Sequence, residues 1–342
     1  MPVYKIFLPW LLEGSRIDEK RNRGRLLASS CLCKMFCRRD IVYTANLSLL
    51  AYFYRMVQQS LSTNHSSVKW NIIRNSSEIF TLGLPGVNIL IPHFLRELTS
   101  LFTSKNAPPE NVLLRSVSIL ASLICFPNHM RDVTIPYEGQ QVTSDALRNQ
   151  LSSILIDAFY SDVVAMPAVK TQLVYALLLV ILDDLYSSNP RASIVQQCIT
   201  ALMETSQDTS DRVARASLDA LDTLASAFPQ LMAMGTEVVC PMVILLSNNI
   251  VNLIKDARSG NLREEIVVAH LYCLLNWVLI AGTNLLLDSQ TVLDKVCIEY
   301  LDQFIYEFFP SLTLYDTTCY HHYNDNTTQR LGLFGCRICT LG

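Results

Sequence analysis

The chain has 342 residues, of which 50% are apolar and only 17% are charged, and its formal net charge is −3. This length accommodates two or three ordinary domains or one elongated repeat array, with ample apolar material for a continuous core. The charge balance argues against nucleic-acid binding and against a polybasic membrane patch. The basic run from Arg16 to Arg25 is short and includes Asp18 and Glu19, so we expect a solvated linker face there.

Eleven cysteines are scattered along the chain, an odd number without the spacing of a disulfide framework. Several lie in apolar helical segments, where a free thiol packs as a small hydrophobe. Cys31, Cys33 and Cys37 share one such segment, and we expect them to pack rather than to bind a metal. This usage fits a reducing compartment, so the sequence predicts a cytoplasmic protein.

Two segments raise a membrane alternative. The apolar run in Met1–Leu12 is short for a secretion signal and is interrupted by Pro9. Ile266–Leu287 has no charged residue and is long enough to span a bilayer, but it contains the polar residues His270 and Asn276. A buried central helix is therefore favoured over a membrane span, with His270 as a hydrogen-bonded core residue.

Periodic apolar residues predict helices along most of the chain, without a convincing alternating strand pattern. Leu113, Val117, Leu120 and Ile124, for example, form one stripe of an amphipathic helix. The predicted helices cover about residues 25–39, 46–61, 66–79, 87–104, 113–124, 144–160, 168–187, 193–203, 210–224, 231–255, 262–286 and 290–309.

Three Phe-Pro pairs punctuate this pattern, at Phe126, Phe228 and Phe309. Proline cannot continue a helix and biases the residue before it towards extended conformations. Each pair is therefore predicted to end a helix. The 128–143 segment that follows the first pair is expected to be a loop long enough to form a surface excursion.

The segment from Ser210 to Leu224 resembles the second helix of a HEAT repeat, with residues 193–203 as its antiparallel partner. Ser210 is predicted to cap the helix, and Arg215 is predicted to pair with Asp211 and Asp219 at i,i+4 spacing. The predicted buried stripe comprises Ala214, Leu218, Leu221, Ala225 and Phe228.

Two-helix units of about 40–50 residues lie in the range of HEAT and armadillo repeats. The predicted fold class is therefore all-α, a HEAT/armadillo-like α-solenoid of antiparallel helix pairs, with an irregular all-α domain as the alternative. We predict two regions: a helical solenoid over residues 1–311 and an irregular tail over 312–342, which resembles nothing that precedes it.

Catalytic and metal signatures are weak. The sequence has no phosphate-binding Gly-rich loop, dinucleotide fingerprint or nucleophile elbow. The adjacent carboxylates Asp183 and Asp184 point about 100° apart on a helix, so solvation at a helix end is favoured over a catalytic pair. Cys319, His321, His322, Cys336 and Cys339 in the tail match no standard zinc spacing, and we expect an incidental cluster. No catalytic, cofactor-binding or metal residue is predicted.

The most distinctive segment is Phe80–Leu95, an apolar stretch interrupted by Gly83, Pro85, Gly86 and Pro92. Proline lacks an amide donor and glycine weakens helices, so this segment is predicted to be a shaped junction rather than an ordinary helix.

This segment and three others resemble the alpha subunits of the Ral GTPase-activating protein complex, which are relatives of tuberin. The four segments occur in the family's order, and the Leu-Gly-Leu-Pro-Gly motif favours the alpha over the beta subunits. The resembling segments are Leu8–Leu12 with Gly24–Arg39, Phe80–Leu95, Ser116–Asn128 and Arg263–Leu287.

The resemblance implies a cytosolic complex of alpha and beta subunits that accelerates GTP hydrolysis on Ral small GTPases. In this family, catalysis belongs to a C-terminal Rap/Ral-type activating domain, which this sequence does not match. We therefore expect a non-catalytic helical scaffold that binds the beta subunit, while contact with a Ral-type GTPase is expected only through the activating domain. The alternatives are a HEAT-like adaptor unrelated to GTPases, a protein anchored in a membrane by residues 266–287 and, last, an enzyme with its own active site.

Overall fold

The computed structural model describes residues 3–16, 22–38, 47–104, 108–129, 135–137, 140–235, 239–258 and 263–287. These residues belong to one compact unit, Met1–Asp288, and most of them are helical. The α-helices are α1 Val3–Gly14, α2 Asn22–Phe36, α3 Leu47–Leu61, α4 Ser66–Asn75, α5 Ile91–Phe102, α6 Glu110–Leu123, α7 Phe126–His129, α8 Ser144–Phe159, α9 Pro167–Leu185, α10 Ala192–Thr205, α11 Asp211–Ala225, α12 Phe228–Ala233, α13 Val239–Arg258 and α14 Glu264–Leu287.

The helices pack in two layers. In one layer, α2, α4, α6, α9, α11 and α14 each contact the next helix in that order. In the other layer, α3, α5, α8 and α10 follow one another, while α13 packs against α14. Helices of the two layers pack in pairs, α3 with α4, α8 with α9, α10 with α11 and α13 with α14. The predicted all-α solenoid of the armadillo/HEAT type is confirmed.

Helix α11 shows how the sequence produces this packing. Ala214, Leu218, Leu221 and Ala225 are buried as predicted, but Phe228 is only half-buried. Ser210 occupies the N-cap position without a side-chain hydrogen bond, so the predicted side-chain cap is wrong.

One of the two predicted ion pairs of α11 is present and the other is not. Arg215 Nε lies 3.4 Å from Asp219 Oδ1, whereas Asp211 pairs with Arg263 on the approach to α14, at 2.5 Å. The partner of Asp211 is therefore set by the stacking of helices and not by i,i+4 spacing.

Two of the Phe-Pro pairs end a helix and also begin another. After α6 ends at Leu123, α7 begins at Phe126; after α11 ends at Ala225, α12 begins at Phe228. Proline is tolerated in the first turn of a helix because the amide it lacks would have no helical partner there. The third pair, at Phe309, lies outside the described residues, as does the predicted helix 290–309.

A short antiparallel hairpin lies where the sequence predicted only a loop. Strands β1, Ile135–Tyr137, and β2, Gln140–Val142, pair with Ile135 opposite Val142. The Tyr137 hydroxyl accepts a hydrogen bond from Arg96 Nη1 at 2.9 Å. Three-residue strands are too short for alternation to be recognised, and tertiary contacts of this kind hold them in place.

Helix α14 contains the segment that raised the membrane alternative. It packs against α11 and α13 through Ile266, Cys273 and Trp277, while Tyr272 and Leu279 are exposed. It is therefore a packed helix of the stack, buried on one face rather than all round. No helix in the described part of the chain combines the length and apolar character needed to cross a membrane.

Candidate interaction surface

The junction before α5 is built from two left-handed glycines. Gly83 has φ 64° and Gly86 has φ 73°, a region that favours glycine because a Cβ would be strained there. The chain then forms a 3₁₀ turn over Val87–Leu90 and enters α5, with Pro92 in its first turn. The segment is thus a shaped junction, as its glycines and prolines predict.

Side chains from both sides hold this junction in place. The Tyr54 hydroxyl, on α3, donates a hydrogen bond to the Pro85 carbonyl at 3.0 Å. Burial raises the pKa of Tyr54 to about 12, so the phenol stays protonated as a donor. On the opposite side, the Phe80 ring packs edge-on against Phe94, with centroids 5.4 Å apart.

An open groove of about 460 Å³ lies between the junction and α3. Most of its lining is apolar, and Arg55 is the charged residue among the lining side chains. A groove of this size and chemistry accommodates apolar side chains of another molecule. The lining residues are Leu47, Leu50, Ala51, Tyr54, Arg55, Gln58, Pro85, Gly86 and Ile89.

A buried ionic cluster contradicts the prediction for Asp183 and Asp184. Asp184 is completely buried near the end of α9 and is not solvated. Its carboxylate accepts hydrogen bonds from Arg148 on α8, and from the backbone amide and guanidinium of Arg191, whose Nη2 lies 2.6 Å away. Asp183 lies 3.8 Å from Arg148 Nε. Sequence spacing missed the cluster because its arginines come from other elements.

The cluster joins helices rather than forming an open site. Arg148 Nη1 donates to the Asn189 carbonyl at 2.8 Å, and Arg191 Nη2 donates to Ser152 on α8 at 2.9 Å. Burial lowers the pKa of the Arg148 guanidinium, and the Asp184 carboxylate opposes that effect. With two cations around one buried carboxylate, α8, α9 and the start of α10 are fixed relative to one another.

His270 is a hydrogen-bonded core residue, as predicted. It is 1% exposed, its Nδ1 lies 2.8 Å from the Ile266 carbonyl, and its Nε2 lies 3.4 Å from Asn249 Nδ2 on α13. Asn249 also donates to the Ser206 hydroxyl at 3.0 Å. Burial lowers the pKa of His270, so the imidazole is neutral in the folded protein near neutral pH.

Cys31 and Cys33 on α2, and Cys37 directly after it, differ in their exposure. Cys33 is buried, which raises the pKa of its thiol well above the ordinary value, and burial raises the pKa of Cys37 to about 12. Both pack as predicted, whereas Cys31 is exposed. A search of the described residues finds no group of three metal-ligating side chains. The tail cluster of Cys319, His321, His322, Cys336 and Cys339 lies outside the described residues.

The outer faces of α9 and α11 differ in chemistry, a feature that the sequence analysis missed. On α9, the residues that face outwards are apolar or uncharged, and we call Tyr175, Leu179, Leu182 and Tyr186 the α9 stripe. At the same spacing, the outward residues of α11 are mostly charged: Arg212, Arg215, Asp219, Asp222 and Ser226. The available signal was the uninterrupted apolar run Leu173–Leu182, which leaves α9 no polar face.

Sequence relatives and solved structures were compared with this chain. No protein-family model matches it. It is 26% identical over 307 residues to "Ral GTPase-activating protein subunit alpha-2" of Mus musculus and 24% identical over 297 residues to the alpha-1 subunit of Homo sapiens, covering 86% and 84% of this chain. The beta subunit of Homo sapiens is 24% identical over 197 residues, or 51% of this chain.

Among solved structures, a designed armadillo repeat protein gives a TM-score of 0.45 at 14% identity, covering 79% of this chain and all of that one. Importin beta gives 0.32 at 12% identity, covering 81% of this chain and 42% of that one.

The chain spans only 16% of the alpha-2 relative's length and 14% of the human alpha-1 relative's length. The match nevertheless extends along most of this chain. The chain is thus homologous to a segment of the Ral GTPase-activating protein alpha subunits.

Proposed function

We propose that the chain is a non-catalytic helical scaffold segment of a Ral GTPase-activating protein alpha subunit. It binds a beta-type subunit and thereby supports the assembly and regulation of a small-GTPase activator. It acts in the cytoplasm, a location that the scattered free cysteines support. A Ral-type GTPase is engaged by an activating domain that this sequence does not match.

The observation that carries the proposal is the layer formed by α2, α4, α6, α9, α11 and α14. Stacked helices expose long adjoining faces, which suits the binding of other proteins. Buried polar contacts hold these faces in fixed positions. Asp184 joins α9 to the other layer, and Trp277 Nε1 on α14 donates to the Leu221 carbonyl of α11 at 3.1 Å.

The groove beside the glycine-proline junction is the proposed contact for the beta subunit. Part of its wall, Pro85 and Gly86, belongs to the motif that favours the alpha-type resemblance, and the left-handed Gly86 sets the path of the chain there. The open apolar lining of the groove, with Arg55 as its charged residue, supports a binding role.

The test is co-purification of the full chain with the human beta subunit after co-expression. We expect a stoichiometric pair, and we expect Ala51→Asp, which places a carboxylate in the groove wall, to reduce recovery. Ala165→Asp, which places the same carboxylate at an exposed alanine outside the groove, is the matched control and is expected to leave recovery unchanged.

A second assay tests the non-catalytic part. The purified chain is expected to leave the rate of GTP hydrolysis by Ral at its intrinsic value. Acceleration by the chain alone would overturn that part of the proposal. Recovery of a folded chain without the beta subunit would overturn the assembly role and favour an adaptor unrelated to GTPases.

A further inference from the structure

The α9 stripe is an apolar surface left open to solvent in the middle of the stack. Tyr175, Leu179 and Tyr186 are 45%, 41% and 68% exposed, and Leu182 between them is half-buried. A helix that is apolar all round is normally covered on all sides. The stripe extends over about 16 Å, or three turns, which matches the contact length of a short amphipathic helix.

An exposed arginine lies on each neighbouring helix at the level of Tyr175. Towards α6, the Cys125 thiol interacts with the Asp183 carboxylate, which aligns the ends of the two helices. Arg115 lies ten residues before Cys125, and Tyr175 lies eight residues before Asp183. Counting back along both helices from this contact therefore places Arg115 within about one turn of Tyr175.

The α11 side is aligned in the same way. Lys170 Nζ lies 2.5 Å from Asp208 Oδ2, just before α11 begins. Arg212 lies four residues after Asp208, and Tyr175 lies five residues after Lys170. Counting forward along both helices from this pair therefore places Arg212 within about one turn of Tyr175 as well. The stripe is therefore flanked by one arginine on each side.

Most acidic groups around the stripe pair with a basic side chain, whereas in the described part of the chain neither Arg115 nor Arg212 has a carboxylate partner. Among the acids, Asp222 is the exception, because its partner Asn276 is neutral. Glu110 lies about 140° round α6 from Arg115, which places it off the same face. The engaged acids are Asp211 with Arg263, Asp219 with Arg215, Asp222 with Asn276 and Asp183 with Arg148.

We propose that the α9 stripe binds an amphipathic helix of a partner protein with acidic residues on both flanks. The apolar face of that helix covers Tyr175 and Leu179, and its carboxylates pair with Arg115 and Arg212. Apolar contact supplies the affinity, and the two flanking cations select acidic over basic helices. The inference rests on the proposed scaffold function for the source of the partner, but the surface is testable without it.

The probes are two synthetic helical peptides of about five turns with the same leucine stripe. One has glutamates on both flanks and the other has lysines. Binding to the full chain is measured by fluorescence anisotropy at low and at physiological salt. We expect the glutamate peptide to bind at least about tenfold more tightly at low salt, with a smaller difference at higher salt because exposed charges are screened.

Two variants of the chain locate the site. Tyr175→Ser combined with Leu179→Ser is expected to weaken binding of the glutamate peptide at least about tenfold, because the apolar contact is lost. Arg115→Glu combined with Arg212→Glu is expected to reverse the preference in favour of the lysine peptide. Tyr52→Ser, at a tyrosine on α3 that is 60% exposed, is the control and should change nothing.

Equal binding of the two peptides, or binding that the stripe variant leaves unchanged, would overturn the proposal. So would concentration-dependent dimerisation of the chain that the stripe variant abolishes, because the occupant would then be a second copy. If the stripe variant does not fold, the charge-reversed variant decides the outcome alone. Loss of beta-subunit co-purification with peptide binding retained would overturn the proposed function and leave this inference standing.

Discussion

Helices α9 and α11 are neighbours in one layer and present residues outwards at the same spacing, yet those residues differ in kind. The outward positions of α9 carry Tyr175 and Leu179, whereas those of α11 carry Arg215 and Asp219. Packing in a solenoid constrains only the faces that touch other helices. The outer face is consequently free to vary in chemistry, and its apolar character on α9 is the basis for the binding surface that we propose there.

The two helices also differ in how they are held. α9 is fixed by the buried carboxylate of Asp184 between two arginines. α11 is fixed by small and apolar residues, by the buried hydroxyl of Ser217, which donates to the Leu202 carbonyl, and by the indole of Trp277. On α9, charge is therefore buried beneath an apolar outer face, whereas on α11 the charged side chains are exposed. Three comparisons of stability and one dependence on pH test this contrast.

The largest effect is expected for Asp184→Ala, which leaves the buried Arg148 and the half-buried Arg191 without their shared carboxylate. Removing one partner of a buried ion pair costs about 3–5 kcal/mol of the free energy of unfolding. Urea denaturation measures the loss. Asp219→Ala is the control on α11 because its ion pair is exposed and contributes at most about 1 kcal/mol. Equal losses in the two variants would contradict the contrast.

Leu177→Ala tests the inner face of α9. Leu177 is completely buried, so its truncation leaves a cavity and is expected to cost about 2–5 kcal/mol of the free energy of unfolding. Leu179→Ala, two residues along the same helix, is expected to cost less than about 1 kcal/mol because that side chain is 41% exposed. A large loss of unfolding free energy for Leu179→Ala would show that the stripe belongs to the core.

Ser217→Ala tests how α11 is anchored. The serine is completely buried and donates to the Leu202 carbonyl of α10, so the variant is expected to lose about 0.5–1.5 kcal/mol of unfolding free energy. Ser226→Ala, at an exposed hydroxyl just after α11, is the control in the same denaturation assay and is expected to change little. A loss as large as that of Asp184→Ala would remove the distinction between the two anchors.

The smallest effect is a dependence on pH that belongs to the α11 side of the stack. His270 on α14 has a lowered pKa because of burial, with Arg263 lowering it further and the Ile266 carbonyl opposing this. Below the ordinary histidine pKa, the unfolded chain binds a proton that the folded chain does not. Unfolding free energy should therefore fall as pH decreases from about 6.5 towards the lowered value, by at most about 1.4 kcal/mol per pH unit.

Denaturation at several pH values measures this slope, which His270→Gln should reduce. Asn249, the hydrogen-bond partner of His270, does not titrate. A pH slope that arises from this contact must therefore come from the histidine. A slope in this pH range that persists unchanged in the variant would contradict the assignment.

Much of the fold was predictable because it depends on local patterns. Apolar residues at helical spacing located α11 and its buried stripe, and the Phe-Pro pairs at Phe126 and Phe228 marked helix ends. The glycines of the junction indicated its special backbone, since left-handed conformations favour that residue. The hairpin at Ile135–Val142 was not predicted, because three-residue strands give no alternation.

The candidate sites were less predictable because they join distant parts of the chain. The interpretation of Asp184 as a solvated residue was wrong, since the arginines that surround it lie 36 residues before and 7 residues after it. The partner of Asp211 was predicted from helical spacing, but the stack places Arg263 beside it instead. Spacing along one helix carries no information about a partner on another.

The sequence by itself thus determined that this protein is a stack of helices, where its most unusual backbone lies, and which family it resembles, because periodicity and glycine-proline chemistry act over a few residues. Only the tertiary structure decided which faces became core and which remained surface. It placed Asp184 between two cations, formed the groove beside Tyr54 and left the α9 stripe open between Arg115 and Arg212. Those outcomes depend on the alignment of neighbouring helices, which is set by packing across the layers.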